Sequence, residues 1–312
     1  MPKINNKTSI SIIVVSWNTK AITDKCLACM KKAVDYVKNN AAVEVVVVEN
    51  ASDDGTPAMI KKKHPWVKMI ESGSDLGYAK GNNFGFRHSN PKSQYILLLN
   101  NDAFVRSDTL AKSLNFFQKN PNCDVLGCQL HYEDERFQPS AGYLPTPVSV
   151  WGWTWGLELL PLIGNIFKPV HPKDLSYFQS DRRSEWVMGA SLFMKREVFI
   201  RTHGFDENFF MYMDEVEWCK RVNDFGYQVW YTPAFNIIHV DKASAFGLPE
   251  ELAKIFYREM MGLKYYLKKY YPRTLWWLIP VMKMGIAMRW LVFYLLGNHM
   301  RLKAYSRILK EL

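Results

Sequence analysis

The sequence predicts an α/β fold, a mostly parallel sheet flanked by helices, followed by a helical tail rich in basic and aromatic residues. Short, continuous, β-branched runs alternate with helical stretches over the first hundred residues, the pattern of buried strands joined by crossover helices. These runs close on polar clusters. The net charge of +10 is confined to the end of the chain: residues 254–312 hold twelve Lys and Arg against two Glu, so the preceding residues sum to neutral. With 312 residues and 48% hydrophobic content, the chain has the length of one large domain or two small ones and enough apolar mass for a core.

Residues 10–17 read as the first buried strand and 21–39 as a helix. The second strand, 43–48, ends in Glu49 and Asn50, and the turn Ala51-Ser52-Asp53-Asp54-Gly55-Thr56 supplies caps for a helix over 57–64. A third strand covers 67–71. The glycine- and asparagine-rich loop 77–85 leads into another helix, and a fourth strand, 95–99, is closed by Asn100, Asn101 and Asp102. Between 131 and 185 the pattern dissolves into Pro, Gly and the cluster Trp151, Trp153, Trp155, a long excursion that covers or forms a site. Regularity returns at 186–195, with a helix over 214–225 and late strands at 229–231 and 236–240.

In an open α/β sheet, ligands bind beyond the carboxyl ends of the strands. Ser16-Trp17-Asn18, Glu49-Asn50 and Asn100-Asn101-Asp102 all stand at such ends and converge on one crevice. Strand termination explains any one of them, but not all three together. Glu49 is suited to accept from base or ribose hydroxyls, and Asp102 to hold a divalent cation, which prefers hard oxygen ligands. Gly77 and Gly81 let backbone amides approach a ligand, although Gly and Asn are also ordinary turn residues. No Gly-x-Gly-x-x-Gly follows the first strand, which argues against a dehydrogenase. Asp214, Glu215 and Glu217 open a helix, where acidic residues are favoured electrostatically in any case, and Glu217 is spaced for an ion pair with Arg221. The aromatic run 209–213 sets these carboxylates against apolar surface, which raises a carboxyl pKa and suits a general base. His239 ends a late strand, where a lone histidine is more often structural than a ligand.

Five segments in order carry a resemblance: Val-Val-Glu-Asn-Ala-Ser-Asp-Asp-Gly-Thr at 47–56, Asp-Leu-Gly-Tyr-Ala-Lys-Gly-Asn-Asn at 75–83, Leu-Leu-Asn-Asn-Asp at 98–102, the stretch from Gly204-Phe-Asp-Glu to Arg221, and His239. Over residues 8–245 the chain resembles the family 2 glycosyltransferases of the GT-A, Rossmann-like fold, and within them the rhamnosyltransferase-like branch. The resemblance implies a domain over 1–245, with a nucleotide-sugar-binding half (1–130) and an acceptor half (131–245), and a membrane-associating tail over 246–312. Crevice and resemblance together assign the donor to Ser16, Glu49, Asn50, Asp75, Gly77, Lys80, Asn83 and Asn101. Glu49 stands where the family usually has Asp, and Asp75 where Asn is common.

Asp102 is the last residue of the implied metal motif, here Asn-Asn-Asp, so a single carboxylate is offered to Mg²⁺ or Mn²⁺; the resemblance makes His239 a second ligand. Glu215 aligns with the catalytic base, with the family's Glu-Asp order reversed to Asp214-Glu215 and Asp214 as the alternative. The implied mechanism is inverting. The metal neutralises the departing diphosphate, and Glu215 takes a proton from an acceptor hydroxyl that attacks the anomeric carbon. The implied donor is a dTDP-sugar, rhamnose first, or a UDP-sugar. The implied acceptor is a glycan or lipid-linked glycan in cell-surface polysaccharide synthesis, with the Trp-rich 131–185 region and Gly189-Ala190-Ser191 shaping its side of the site.

Twelve aromatics stand among the basic residues of 254–312, and Lys283 and Arg289 interrupt its apolar runs. Central charges are costly in a spanning helix, so the expected position is in the interface of an anionic membrane, with a buried helical subdomain as the alternative. The polar start of the chain lacks an apolar signal region, which predicts a cytoplasmic protein, peripheral at the inner face of the cell membrane. Five cysteines without regular spacing fit a reducing compartment, and Cys26 and Cys29 read as buried thiols rather than a zinc site. The same motifs would serve transfer to a polyprenyl phosphate, and the reversed acidic pair would suit a catalytically silent nucleotide-sugar-binding protein. Nucleic acid is the other polyanion a basic tail can meet, but the acidic crevice in a neutral body argues against it.

Overall fold

The computed structural model describes residues 8–160, 166–172, 174–209, 212–240, 249–297 and 299–312. The polar start and the expected boundary at 245/246 lie outside these residues. Strands β1 (Thr8–Ser16), β2 (Ala41–Glu49), β3 (Lys68–Glu71) and β4 (Tyr95–Asn100) form a parallel set in the order β3-β2-β1-β4, with α1 (Lys20–Val37), α2 (Thr56–Lys63) and α3 (Gly77–His88) as crossovers. Ile10, Ile12, Ile13 and Val14 are all buried, which is why β1 reads as a continuous apolar run.

The chain continues through β5 (Ala103–Phe104), α4 (Thr109–Lys119), β6 (Val125–His131), β7 (Phe137–Gln138), β8 (Ala141–Gly142) and α5 (Pro147–Trp155). Next come β9 (Arg182–Arg183), β10 (Trp186–Val187), β11 (Ser191–Lys195), α6 (Arg196–Arg201), α7 (Asp214–Asp224) and β12 (Val229–His239). Beyond β4 the main sheet runs β11-β6-β12-β5, with β11 and β5 reversed. The two late strands of the sequence are thus one, with a register slip between Thr232 and Asn236 where it pairs with β6. Only Asn101 and Asp102 separate β4 from β5. Three peptide steps reach ~11 Å, whereas four strand spacings need ~19 Å, so the sheet must curl to bring β5 onto β12.

The expected glycine-rich loop is itself the start of α3. A Cβ on Gly81 would lie 2.9 Å from Val15 Cγ1, and one on Gly85 2.5 Å from Ile13 Cγ2 and 2.9 Å from Val48 Cγ2. These glycines let the helix settle onto β1 and β2, a packing role rather than a phosphate cradle. The 131–185 excursion also has structure. Thr146 and Ser149 form a capping box at the head of α5. Trp153 receives the Arg289 guanidinium 4.8 Å over its ring and, at its carbonyl, a 2.9 Å hydrogen bond from Arg289. Part of the tryptophan cluster is therefore a bracket for the tail.

Helices α8 (Pro249–Tyr270), α9 (Leu275–Leu295) and α10 (His299–Glu311) form that tail. Met260, Leu267, Leu278, Met282, Ile286 and Ile308 gather with Val150 of α5 into a separate small core. The span 272–295 is long and apolar enough to cross a membrane by length and composition, and most of it is not buried. Its outer face exposes Met284, Met288, Leu291 and Leu295, one stripe at helical spacing. All five cysteines are free thiols.

Candidate active site

Strand register sets the site. Ser16 pairs with Glu49, Val15 with Asn100, and Leu99 with Ser191, while Asn100 N donates to Ala190 O at 3.1 Å. Glu49, Ser16, Asn100 and the Gly189–Ala190 turn therefore follow one another along one edge of the sheet. At the curled end, His239 pairs with Ala103, and Val240 N donates to Asp102 O at 3.1 Å. The side chains meet: His239 Nε2 lies 3.4 Å from Asp102 Oδ1. On the other ring nitrogen, His239 Nδ1 is 3.1 Å from Gln138 Oε1. When Nδ1–H donates to this amide oxygen, the neutral imidazole turns its Nε2 lone pair toward a carboxylate, a donor set that suits a divalent cation. Among the described residues, no three His, Cys, Asp or Glu gather into a metal cage.

On the donor side, Glu49 is buried and its Oε1 accepts from Ser52 N at 2.9 Å, which braces the 50–54 turn. Asn18 adopts φ 47° and its Oδ1 accepts from Asp53 N at 2.9 Å, fixing the same turn to the end of β1. Asn50 is buried, with Nδ2 3.4 Å from both Asp75 Oδ1 and Gly77 O; its own Oδ1 has no partner. An unpaired buried amide oxygen costs about 1–3 kcal/mol, which a ligand donor would relieve. Asp75 is exposed beside it, with Oδ1 accepting from Gly77 N at 2.9 Å, and Lys80 is exposed in the first turn of α3.

Three expected donor contacts are placed differently. Ser16 Oγ lies 2.8 Å from Thr23 Oγ1, and Asn101 Nδ2 donates to Thr23 Oγ1 at 3.0 Å and to Thr19. Both side chains secure the first turns of α1. The Asn83 amide holds the turn after α6: Nδ2 donates to Phe205 O at 2.9 Å and Glu207 Oε1 at 3.1 Å, while Oδ1 accepts from Phe205 N at 2.9 Å. A buried amide must satisfy its polar atoms, and here the protein does so.

Helix α7 starts from Tyr212 and Met213, both left-handed at φ 70° and 65°. Phe210 and Met211 of the expected aromatic run lie outside the described residues. Asp214 is 2% exposed and its Oδ2 has no partner. Burial, then the neighbouring Glu215 carboxylate, pushes the Asp214 carboxyl well above the ordinary range. Glu215 is only half-buried, with Oε1 3.5 Å from Gly189 N, and the Tyr78 hydroxyl donates to Gly189 O at 2.8 Å. Burial followed by these two acids likewise pushes the Tyr78 hydroxyl up. A buried Asp214 with its carboxyl pushed up stands beside a half-exposed Glu215, two adjacent acids in different surroundings.

Glu217 does not face the crevice. Arg221 grips it with two 2.8 Å bonds, Lys269 with a third at 2.8 Å and Tyr270 OH at 2.6 Å. The pair that spacing suggested is the centre of a buried network reaching the tail. Lys269, Tyr270 and Gln138 carried no periodic or motif signal. Tyr78 stood inside the 75–83 motif without a role.

Residues 11–218, two thirds of the chain, match the family described as Glycosyl transferase family 2. The chain is 24% identical to the N-acetylglucosaminyl-diphospho-decaprenol L-rhamnosyltransferase of Mycobacterium tuberculosis, over 74% of this chain and 75% of that one. It is 25% identical to the rhamnosyltransferase WbbL of Escherichia coli, over 66% of this chain and 78% of the relative. Among solved structures, the mannosyltransferase PcManGT from Pyrobaculum calidifontis, in complex with GDP-Man and Mn²⁺, superposes with a TM-score of 0.54 at 16% identity, over 96% of this chain and 85% of that one. TarS 1–349 of S. aureus with UDP-GlcNAc gives 0.52 at 14% identity, over 97% and 91%. The curled, mostly parallel sheet has the GT-A fold, and the chain belongs to the family 2 glycosyltransferases.

Proposed function

We propose that this glycosyltransferase is inverting and metal-dependent, moving a sugar, rhamnose first, from a nucleotide diphosphate to a hydroxyl of a glycan or lipid-linked glycan in polysaccharide synthesis. The observation that carries the reading is the meeting of Asp102 and His239 at 3.4 Å, with Gln138 behind the ring. These two residues would hold Mg²⁺ or Mn²⁺, which when bound supplies positive charge against a departing diphosphate. Two protein ligands leave the remaining positions to phosphate oxygens and water. Relatives named as rhamnosyltransferases support the sugar, and the Mn²⁺ of the mannosyltransferase complex supports the ion.

Asn50, with its unpaired Oδ1, and Glu49 at the foot of the 50–54 turn receive the nucleoside, while Asp75 and Lys80 border it. Glu215 takes the proton of the acceptor hydroxyl, whose oxygen attacks the anomeric carbon opposite the leaving group. Asp214 is buried, so Glu215 is the carboxylate of the pair that an acceptor can reach. Glu215→Gln is expected to lower turnover at least about 100-fold at unchanged donor affinity. Normal turnover in that variant would remove the base assignment. Surveying dTDP-, UDP- and GDP-sugars for Mn²⁺-dependent thermal stabilisation identifies the donor.

The exposed α9 stripe and the charge of +10 carried by residues 254–312 support a peripheral position on the cytoplasmic face of an anionic membrane. Full-length chain is expected to pellet with anionic vesicles and to be released at high salt. Retention at high salt would argue for insertion instead.

A further inference from the structure

We propose that α8 is a positioning element for the Asp214–Glu215 pair, so that the tail builds the active site as well as carrying it. The proposal rests on the reading of Glu215 as the base. Gly262, Tyr265 and Lys269 stand at i, i+3 and i+7, one face of α8. That face meets Asp206, Phe209, Tyr212, Met213 and Glu217. At one end, a Cβ on Gly262 would lie 3.1 Å from Met213 Cβ and 3.2 Å from Tyr212 O. The helix therefore packs directly on the two left-handed residues that launch Asp214. In the middle, the Tyr265 ring meets Phe209 edge-on at 5.0 Å, and its hydroxyl donates to Asp206 Oδ2 at 3.2 Å. At the other end, Lys269 joins Asp206 at 2.7 Å to Glu217 at 2.8 Å.

Asp206 and Glu217 flank the carboxylate pair in sequence, one before the strained turn and one after it. Lys269 ties both to a single ammonium. Left-handed non-glycine residues persist only where their surroundings over-determine them, and here Gly262 and the Lys269 bridge supply the constraint. Removing the bridge frees the turn to relax, which moves Glu215 relative to Gly189 without touching Asn50, Asp102 or His239. Displacement of a catalytic group by an ångström lowers turnover about 100-fold in the limit, with little effect on donor binding.

The test uses full-length protein, Mn²⁺, the donor identified by thermal stabilisation and a water-soluble acceptor. Lys269→Met is expected to lower kcat about tenfold or more with donor KM within about twofold, and Lys269→Arg, which keeps both ion pairs, to restore most of it. Should Lys269→Met fail to fold, Tyr265→Phe decides by the same split of kcat from KM. A folded Lys269→Met protein with parental kcat overturns the proposal, as does a loss that Lys269→Arg fails to rescue. Glu215→Gln is the control: turnover in that variant overturns the base reading, whereas an inactive Glu215→Gln beside a fully active Lys269→Met overturns the positioning role alone.

Discussion

Glu217→Gln isolates the electrostatics of the joint between α7 and α8. The substitution keeps shape and removes one charge from a side chain that is 0% exposed. Four donor hydrogens now converge on two carboxylate oxygens, from Arg221, Lys269 and Tyr270. A glutamine accepts at one oxygen and turns an NH₂ toward a cation at the other. Breaking a buried ion pair by removing one partner costs about 3–5 kcal/mol. Lys269 keeps Asp206 at 2.7 Å and Arg221 keeps the carbonyl of Thr202, so the loss here falls to about 2–3 kcal/mol. For a chain of this size that lowers Tm by about 3–5 °C. The pH dependence supplies a second check. Burial pushes the Glu217 carboxyl up, but Arg221, Lys269 and Tyr270 more than offset it and hold it below the ordinary range. A depressed folded pKa means stability present above the unfolded value and lost as pH falls through the folded one. Thermal unfolding of both proteins from neutral to acid pH should therefore show a gap that narrows on acidification. A variant melting within about 1 °C of the parent at neutral pH, or a gap that acid leaves unchanged, refutes the reasoning.

Gln138→Leu removes the amide behind His239 and should weaken Mn²⁺ binding about 10–100-fold, read from the free-Mn²⁺ electron paramagnetic resonance signal; unchanged binding would end its orienting role. Gly85→Ala places a methyl 2.5 Å from Ile13 Cγ2, and overpacking of about 1–3 kcal/mol should exceed a helix-propensity gain of about 1 kcal/mol; a raised Tm would contradict this. Leu291→Glu with Leu295→Glu puts two charges on the outer face of α9, so pelleting with anionic vesicles should drop while turnover on a soluble acceptor is kept. Equal pelleting would take α9 out of the membrane contact.

The strands and their polar ends were legible because their code is local: a continuous β-branched run such as 10–15 reads as a buried strand, Glu49 and His239 each close a strand, and Asp102 follows one after a single residue. What brings Asp102 to His239 is the curl of the sheet, which no local pattern encodes, and only the ordered motifs implied it. Gly81 was read as ligand-facing because a glycine's two uses, positive φ and close packing, look alike in sequence. Asn83 and Asn101 were read as donor contacts because a motif reports which residues recur together, not which way an amide turns. Lys269 looked like one more basic tail residue, and a buried partner 52 positions earlier leaves no periodic trace. The tail was read as membrane-seeking from its charge, yet one of its lysines neutralises acids beside the active site.

The reversed order Asp214-Glu215 has a consequence that can be measured. Successive helical residues point about 100° apart, so only one of an adjacent pair can face the crevice. Position 215 faces Gly189 and position 214 is buried, so exchanging the acids leaves the reachable position unchanged and lengthens its side chain by one methylene. The shorter acid is then the one whose carboxyl is pushed up, by burial first and by Glu215 second. A carboxyl whose folded pKa lies above its unfolded value supports the fold below the unfolded value. That support is lost as pH rises toward the folded one. Asp214→Asn, a neutral stand-in of the same shape, should therefore melt higher than the parent from neutral pH upward, by an amount that grows until Asp214 itself ionises. Its turnover should stay within about tenfold of the parent, whereas Glu215→Gln loses about 100-fold or more. Pairing Asp214→Asn with Glu215→Gln in one transfer assay decides between the two carboxylates. An inactive Asp214→Asn beside an active Glu215→Gln would move the base to position 214 and invert the assignment.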